Sequence, residues 1–285
     1  MTTFEQSQRR KWLRVAGHWF KTKAPAVPSS DDLRVFRELS AGIQYPHRIA
    51  VLGCTPTLRA LANDLIDKTG EVVVVDFLRE MWMSSVDQLR PHSREIFVQA
   101  NWLRMGIRSS VVDLVFGDKV IDNVEPEFRG DFFDELARVL IPGGLFLAHV
   151  GLTPGGSLDE SIIGIFLRWT RLVETRVATV EDASAGVWED LLTGSAGKGP
   201  ELVLSISFWG KPLTAILASP PSGMCRLIVQ QFIREFGDTV DDVWADCRLD
   251  EIISAANRQF SLADQRFSSD YQNAQSQPVL LFKRR

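Results

Sequence analysis

The sequence has few cysteines, no long apolar run and no excess of basic residues. Its three cysteines, Cys54, Cys225 and Cys247, are scattered and odd in number. They form neither a metal-ligand spacing nor a disulfide framework, so we predict no metal site and a protein of the reducing cytoplasm. No run reaches the roughly 18 apolar residues of a membrane span, and the first residues contain no signal-peptide core. We therefore predict no membrane segment.

The charge of the chain argues against nucleic acid as a partner. The 285 residues carry a formal net charge of −4 at pH 7, whereas nucleic-acid-binding domains usually present a basic face. One segment, residues 9–23, is basic and places Trp12, Ala16 and Trp19 at helical spacing. We predict a helix there and leave three interpretations open: a helix docked on the core, a helix that caps a ligand cleft, or a nucleic-acid arm.

Residues 48–76 are predicted to form a strand–helix–strand unit, although their turn has only one of the three glycines of a dinucleotide-binding motif. An apolar run ends at Gly53, Thr55 is the expected N-cap, Pro56 begins the helix, and Asp76 ends the second strand where a ribose would be held. A pyrophosphate needs several exposed backbone N–H groups on a flexible turn, so this turn favours a nucleoside over NAD. For this segment alone, an α/β core without a cofactor is the alternative.

The rest of the chain continues this alternation and then departs from it. Periodicity predicts strands and helices in turn: strands at 94–100, 111–116 and 145–150, and helices at 77–89 and 128–140. A mainly helical region follows, with one helix over 224–236 and another that begins at Thr239. Residues 259–267 and 278–283 are predicted to form an antiparallel hairpin at the end of the chain.

Five motifs, in order, resemble those of the class I S-adenosylmethionine-dependent methyltransferases: VLGCTPT at 51–57, VVVVDF at 72–77, QANWL at 99–103, DLVFGD at 113–118 and ARVLIPGGLFLAH at 137–149. The resemblance implies an α/β, Rossmann-like fold, with a seven-stranded mixed sheet whose last strand is antiparallel, flanking helices and a helical insertion after strand five. It also divides the chain into an N-terminal helical cap, a cofactor-binding core and an insertion expected to act as an acceptor-binding lid: residues 1–44, 45–151 with 245–285, and 152–244.

The same resemblance implies S-adenosylmethionine as the cofactor, held at the carboxyl ends of the strands. Gly53, Cys54 and Thr55 would line its methionine part, Asp76 would bind the ribose, and Asn101 the adenine. An amide replaces the family's usual acid at 101, but it can still accept from the adenine amine. The other candidates are two aromatic residues that would pack on the base, a glycine of the fourth-strand motif and an acid that would receive the ammonium: Phe77, Trp102, Gly117 and Asp118. The alternatives are that Trp102 is a core residue and that Asp118 begins a turn.

His149, at the end of strand five, is predicted as the general base for an acceptor that must lose a proton. Its place on the rim of the site is the reason, and a structural histidine is the alternative. The motif Asn/Asp-Pro-Pro-Tyr/Phe, which marks many methylases of planar amines, does not follow strand four. Its absence argues mildly against a nucleobase amine as acceptor.

We predict an enzyme that methylates a small-molecule acceptor. Apolar walls are typical of small-ligand pockets, and the insertion contains suitable aromatic and sulfur-bearing residues: Phe166, Trp169, Trp188, Phe208, Trp209 and Met224. The alternative is that these residues form the insertion's own core. The rival function is a non-catalytic S-adenosylmethionine-binding subunit that uses the insertion to dock a protein partner or a second copy. The presence of Asp76 favours the enzyme.

Overall fold

The structure is a computed structural model that describes most of the chain. The residues it describes are 9, 12, 13, 16, 24, 27–43, 46–86, 94–152, 162–195, 201–205, 213–236, 241–245, 247–271 and 274–285. Most of the predicted basic helix, together with Phe208 and Trp209, lies outside them. The chain divides into two compact units: a core unit of Trp12–Leu152 and Cys247–Arg285, and a second unit of Met1–Lys11 and Thr153–Asp246.

Strands and helices alternate through the first half of the core unit. The strands of the described residues are β1 Arg48–Leu52, β2 Glu71–Asp76, β3 Glu95–Gln99, β4 Val112–Asp118, β5 Leu140–His149, β6 Glu201–Ser205, β7 Asp241–Ala245, β8 Phe260–Arg266 and β9 Val279–Arg284. The helices are α1 Ser30–Ser40, α2 Pro56–Leu65, α3 Arg79–Val86, α4 Arg129–Val139, α5 Ile162–Glu174, α6 Val180–Ser195, α7 Gly223–Phe236 and α8 Leu249–Ala256. None of these helices is both long and apolar enough to cross a membrane.

The core unit is built on a seven-stranded sheet in the order β3-β2-β1-β4-β5-β9-β8. The pairs among β1 to β5 are parallel, and β9 is antiparallel to both β5 and β8. This confirms the predicted mixed sheet and the C-terminal hairpin. β5 begins earlier than predicted because Leu140 pairs with Val112 of β4 before the ladder resumes at Leu145.

Apolar residues on alternate positions of the strands divide the core into two layers. On one face, Ala50 and Leu52 belong to a cluster that includes residues of α4 and α8. On the other face, Ile49 and Val51 belong to a cluster that includes residues of α1, α2 and α3. Burial on both faces is what continuous apolar runs in parallel strands favour. The carboxyl ends of the parallel strands therefore come together at one edge of the sheet, where the predicted site residues lie.

The second unit corrects one sequence prediction. Asp241–Ala245 is a strand, β7, and the helix predicted to begin at Thr239 does not form there. β7 pairs in antiparallel register with β6, Glu201–Ser205, in a stretch that the sequence left unassigned. The segment DDVWA contains a β-branched residue and a tryptophan, which favour a strand once a partner is present. The local sequence alone does not reveal that partner, because β6 lies far from β7 along the chain.

Candidate functional site

The turn after β1 is shaped around Gly53. Its φ is +82°, in the left-handed region that favours glycine. Its N–H donates to the carbonyl of Val75 at 2.9 Å, which joins the turn to the end of β2. A Cβ at this position would lie 3.8 Å from Cζ2 of Trp102. The glycine thus leaves the backbone of the turn open beside an indole ring.

Thr55 occupies the N-cap position of α2, but its side chain does not cap the helix. The hydroxyl instead donates to Oδ2 of Asp118 at 3.2 Å, which corrects the predicted capping role. The Oγ1 atom of Thr57, in the first turn of α2, is buried and has no hydrogen-bond partner among the described residues. The N-terminal N–H groups of a helix and a buried hydroxyl without a partner are suited to bind an anionic group.

Asp76 is the last residue of β2, as predicted, and it is 5% exposed. Oδ1 accepts the backbone N–H of Leu78 at 2.8 Å. Burial raises the pKa of the carboxyl to about 6, although hydrogen bonds from Leu78 and from the thiol of Cys54 oppose that shift. Burial also raises the pKa of Cys54 well above its ordinary value, so this thiol is neutral and bonded to Asp76. The contacts of Cys54 thus support the carboxyl rather than a direct role toward a ligand.

Asn101 and Trp102 follow β3. The side chain of Asn101 is exposed, and its Oδ1 accepts the backbone N–H of Leu103 at 2.9 Å. Nε1 of Trp102 donates to the carbonyl of Val75 at 2.9 Å, the same carbonyl that accepts from the glycine turn. The indole is half-buried and packs on the α4 face of the sheet. Trp102 therefore lies beside the turn, between the ends of β1 and β2.

Two other predicted residues have structural explanations. Phe77 packs against the opposite face of the sheet from Trp102, so the two rings do not pack on the same cluster. At Gly117, a Cβ would lie 2.4 Å from Cγ2 of Val120 and 3.3 Å from Cε2 of Phe146. Close packing thus requires a glycine at 117 whether or not a ligand is bound there.

Asp118 and His149 form a buried pair across β4 and β5. The Nδ1 atom of His149 lies 2.9 Å from Oδ1 of Asp118, and the two side chains are 0% and 2% exposed. Nε2 of the ring lies 3.3 Å from the hydroxyl of Tyr271 and 3.9 Å from Oδ2 of Asp32. Both ring nitrogens are therefore directed at protein groups.

The environment of this pair determines the protonation state of each side chain. Burial lowers the pKa of His149 to about 3, and the nearby Lys119 ammonium acts in the same direction. Burial raises the pKa of Asp118 to about 7, with Lys119 and Thr55 opposing the shift. His149 is therefore neutral at physiological pH and a weak base. Its position is the predicted one, but its burial and low basicity do not support proton transfer with an acceptor.

Sequence reasoning missed several buried polar residues around this pair. Lys119 has φ +55°, donates its N–H to the carbonyl of His149 at 2.8 Å and hydrogen-bonds through Nζ to Gln277. Asp122 accepts the N–H of Gly151 at 2.9 Å. The partners of these groups come from distant segments, and the only local signal is the charged pair Asp118–Lys119 at the end of β4. No group of three or more His, Cys, Asp or Glu side chains among the described residues could hold a metal ion.

Comparison with known proteins gives one sequence match and many structural ones. Residues 52–148 match a family model described as a methyltransferase domain. A comparison with curated protein sequences gives no significant match. The chain is similar in structure to the 1,6-didemethyltoxoflavin-N1-methyltransferase of Burkholderia thailandensis, whose structure contains 1,6-didemethyltoxoflavin and S-adenosylhomocysteine. The identity is 11%, the TM-score is 0.55, and the alignment covers 99% of this chain and 88% of that chain.

Two further structures have the same fold. A protein from Nostoc punctiforme PCC 73102, provisionally described as an O-methyltransferase, has a TM-score of 0.53 and 11% identity, over 96% of this chain and 60% of that chain. A protein from Rhodobacter sphaeroides, provisionally described as a zinc-dependent alcohol dehydrogenase, has a TM-score of 0.57 and 16% identity, over 98% of both chains. At such identities these similarities establish the fold and do not transfer a function.

Proposed function

We infer that this chain, whose residues 52–148 match a methyltransferase-domain model, transfers the methyl group of S-adenosylmethionine to a small-molecule acceptor. The observation that carries the proposal is the meeting of the glycine turn, Asp76 and Trp102 at one edge of the sheet. The carbonyl of Val75 bonds both Gly53 and Trp102 at 2.9 Å, and the next residue along β2 is Asp76. This is the edge at which open α/β sheets bind their ligands.

The residues at this edge fit the charges of the cofactor. A helix N-terminus without a side-chain cap, with the buried Thr57 hydroxyl in its first turn, suits the carboxylate of an amino-acid group. Asp76 supplies acceptors for a ribose diol, and the exposed amide of Asn101 suits an adenine edge. Only 2% of the Asp118 side chain is exposed, so water screens its charge weakly. When the carboxyl is ionised, its negative charge therefore favours a cationic ligand.

S-adenosylmethionine supplies a methyl group already activated on a sulfonium, so the chain mainly has to bind, align and exclude water. Gly53 keeps the turn open, and Thr55 ties that turn to Asp118 at 3.2 Å. Trp102 offers an apolar surface beside the turn. We assign no base to the reaction, because His149 is buried and its two nitrogens face Asp118 and Tyr271.

The proposal of a small-molecule acceptor rests on charge and on the fold. The net charge of −4 gives no general attraction for nucleic acid. The Burkholderia thailandensis N1-methyltransferase, which has the same fold, binds 1,6-didemethyltoxoflavin together with S-adenosylhomocysteine. The aromatic residues of the insertion no longer add support, because Phe166, Trp169 and Trp188 are buried in the core of the second unit. The predicted lid function of residues 152–244 therefore stays a proposal.

Incubation with S-adenosylmethionine labelled in the methyl group tests this function. The protein is supplied with a heat-inactivated, undialysed cell extract, which retains its small molecules, and the products are then separated into small molecules, RNA and DNA, and protein. Asp76→Ala is the control for cofactor-dependent transfer. We expect label only in the small-molecule fraction and only with the unaltered chain. Label in the RNA, DNA or protein fraction would refute the acceptor class. Binding of S-adenosylhomocysteine with no label in any fraction would support the rival, a non-catalytic binding subunit.

A further inference from the structure

We propose that His149 is a positioning residue for the cofactor site: it orients Asp118, and Tyr271 sets its tautomer. The inference deepens the proposed function, because Asp118 acts on the cofactor site through Thr55 and through its charge. All of these side chains belong to the core unit. The role differs from that of a general base, since both ring nitrogens of the imidazole face protein side chains.

The chemistry of the partners assigns a direction to each hydrogen bond, because an ionised carboxylate can only accept. With Asp118 ionised, its Oδ1 accepts from Nδ1–H of His149 at 2.9 Å, and its Oδ2 accepts from Thr55 at 3.2 Å. The neutral imidazole then has a lone pair at Nε2, which accepts the Tyr271 hydroxyl at 3.3 Å. A hydrogen bond at one ring nitrogen selects the tautomer and so fixes what the other nitrogen can do. Tyr271 is therefore the group that allows His149 to donate to Asp118.

Contacts between two chain segments, the start of α1 and the loop that contains Tyr271, also fix the position of the Asp118–His149 pair. Asp32, in the first turn of α1, is fully buried, caps that helix with Ser29 and accepts a hydrogen bond from Ser268. Asp31 accepts the N–H of Ser269 at 2.9 Å. These contacts fasten the loop that bears Tyr271 to the start of α1. Thus the orientation of Asp118 depends on residues that are far from the glycine turn in the sequence.

Two substitutions at His149 separate the two ring nitrogens. In His149→Asn the amide nitrogen takes the place of Nδ1 and can still donate to Asp118. In His149→Gln it takes the place of Nε2 and reaches toward Tyr271 instead. His47→Gln is the matched control, because that histidine is exposed and its hydrogen bonds to the described residues use only its backbone. The Kd for S-adenosylhomocysteine is measured by calorimetry at pH 8, and the melting temperature of each variant is measured in parallel.

We expect His149→Gln to weaken binding by about tenfold or more, because a hydrogen bond to a charged group is lost. His149→Asn should stay within a few-fold of the unaltered chain, and His47→Gln should equal it. A purely structural histidine would lower the melting temperature in both His149 variants without this difference in Kd. Equal losses of affinity in the Asn and Gln variants, or no loss in either, would overturn the inference.

A second measurement does not depend on ligand binding. The chain has four histidines, so the ¹⁵N resonances of the His149 ring can be identified by their loss in His149→Asn. At pH 8 we expect the proton on Nδ1, and a change in the Nε2 resonance in Tyr271→Phe. A proton on Nε2 in the unaltered chain would refute the tautomer and the positioning role with it. If S-adenosylhomocysteine does not bind the unaltered chain, the proposed function is refuted. The ¹⁵N resonances of the His149 ring still test the hydrogen bonds on which this inference depends.

Discussion

Cofactor affinity should fall as the pH is lowered from 8 to 6, because Asp118 loses its charge in that range. Burial raises the pKa of its carboxyl to about 7. The groups that face it are Thr55, the neutral His149 and the Lys119 ammonium, whose charge partly opposes the shift. With a pKa of about 3, His149 does not titrate in this window. Of the buried pair, it is therefore Asp118 that changes charge in this range.

The size of the effect follows from linkage between protonation and binding. If the ionised form binds, the affinity is divided by 1 + 10^(pKa − pH), which with a pKa of about 7 is about 11 at pH 6 and about 1.1 at pH 8. The expected loss is about tenfold, or about 1.4 kcal/mol. Asp76, with a pKa of about 6, adds at most about another factor of two.

Calorimetric titration with S-adenosylhomocysteine at pH 6, 7 and 8 measures this loss, and Asp118→Asn is the control. The amide keeps the shape of the side chain but has no charge to lose. Its affinity should be lower at pH 8 and should change by no more than about twofold across the range, the share left to Asp76. Any titration of the ligand itself affects both proteins equally, so the comparison between them removes that contribution. A tenfold loss that persists in Asp118→Asn, or a flat profile in the unaltered chain, would refute the reasoning.

Three further substitutions test the site and the core. Asp76→Ala should weaken S-adenosylhomocysteine binding by about ten- to a hundredfold in calorimetry, since hydrogen bonds from the ribose to a charged group are lost; NAD should bind neither form. Arg59→Met should lower the free energy of unfolding in urea by about 3–5 kcal/mol, because it removes the cationic partner of Glu95 at 2.6 Å and leaves only the indole N–H of Trp82 as a donor, both side chains of the ion pair being fully buried; Arg59→Met with Glu95→Met should recover much of the loss. Gly117→Ala should cost about 1–3 kcal/mol through overlap with Val120, and Val120→Ala in the same chain should reduce that cost.

The positions at this edge of the sheet that the sequence predicts correctly are those set by local chain geometry. Gly53 ends a strand with positive φ, and Asp76 ends the next strand, because an apolar run followed by a turn residue places both at the same edge. The strand order follows from alternation of strands and helices with right-handed crossovers. Thr55 shows the limit of such reasoning. A threonine before a helix fits an N-cap, but a carboxylate from β4 competes for its hydroxyl and takes it.

The network around His149 could not be predicted because each partner comes from a different segment. Asp32 belongs to the first turn of α1 and Tyr271 to the loop between β8 and β9. No spacing in the sequence connects these positions, and only the antiparallel β9 beside β5 brings the loop to the histidine. The sequence therefore identifies His149 only by its place at the end of strand five. Its burial, which determines its chemistry, depends on the tertiary fold.

The acceptor is harder to infer than the cofactor for a related physical reason. A large aromatic side chain gives the same apolar pattern whether it lines a pocket or fills a core. In the second unit, Phe166, Trp169 and Trp188 pack together with residues of α7 such as Phe232. Burying these rings against one another stabilises the unit and removes them as walls for a ligand. The hydrophobic pattern of a single sequence therefore does not distinguish the residues that would recognise the acceptor from those that only form a core.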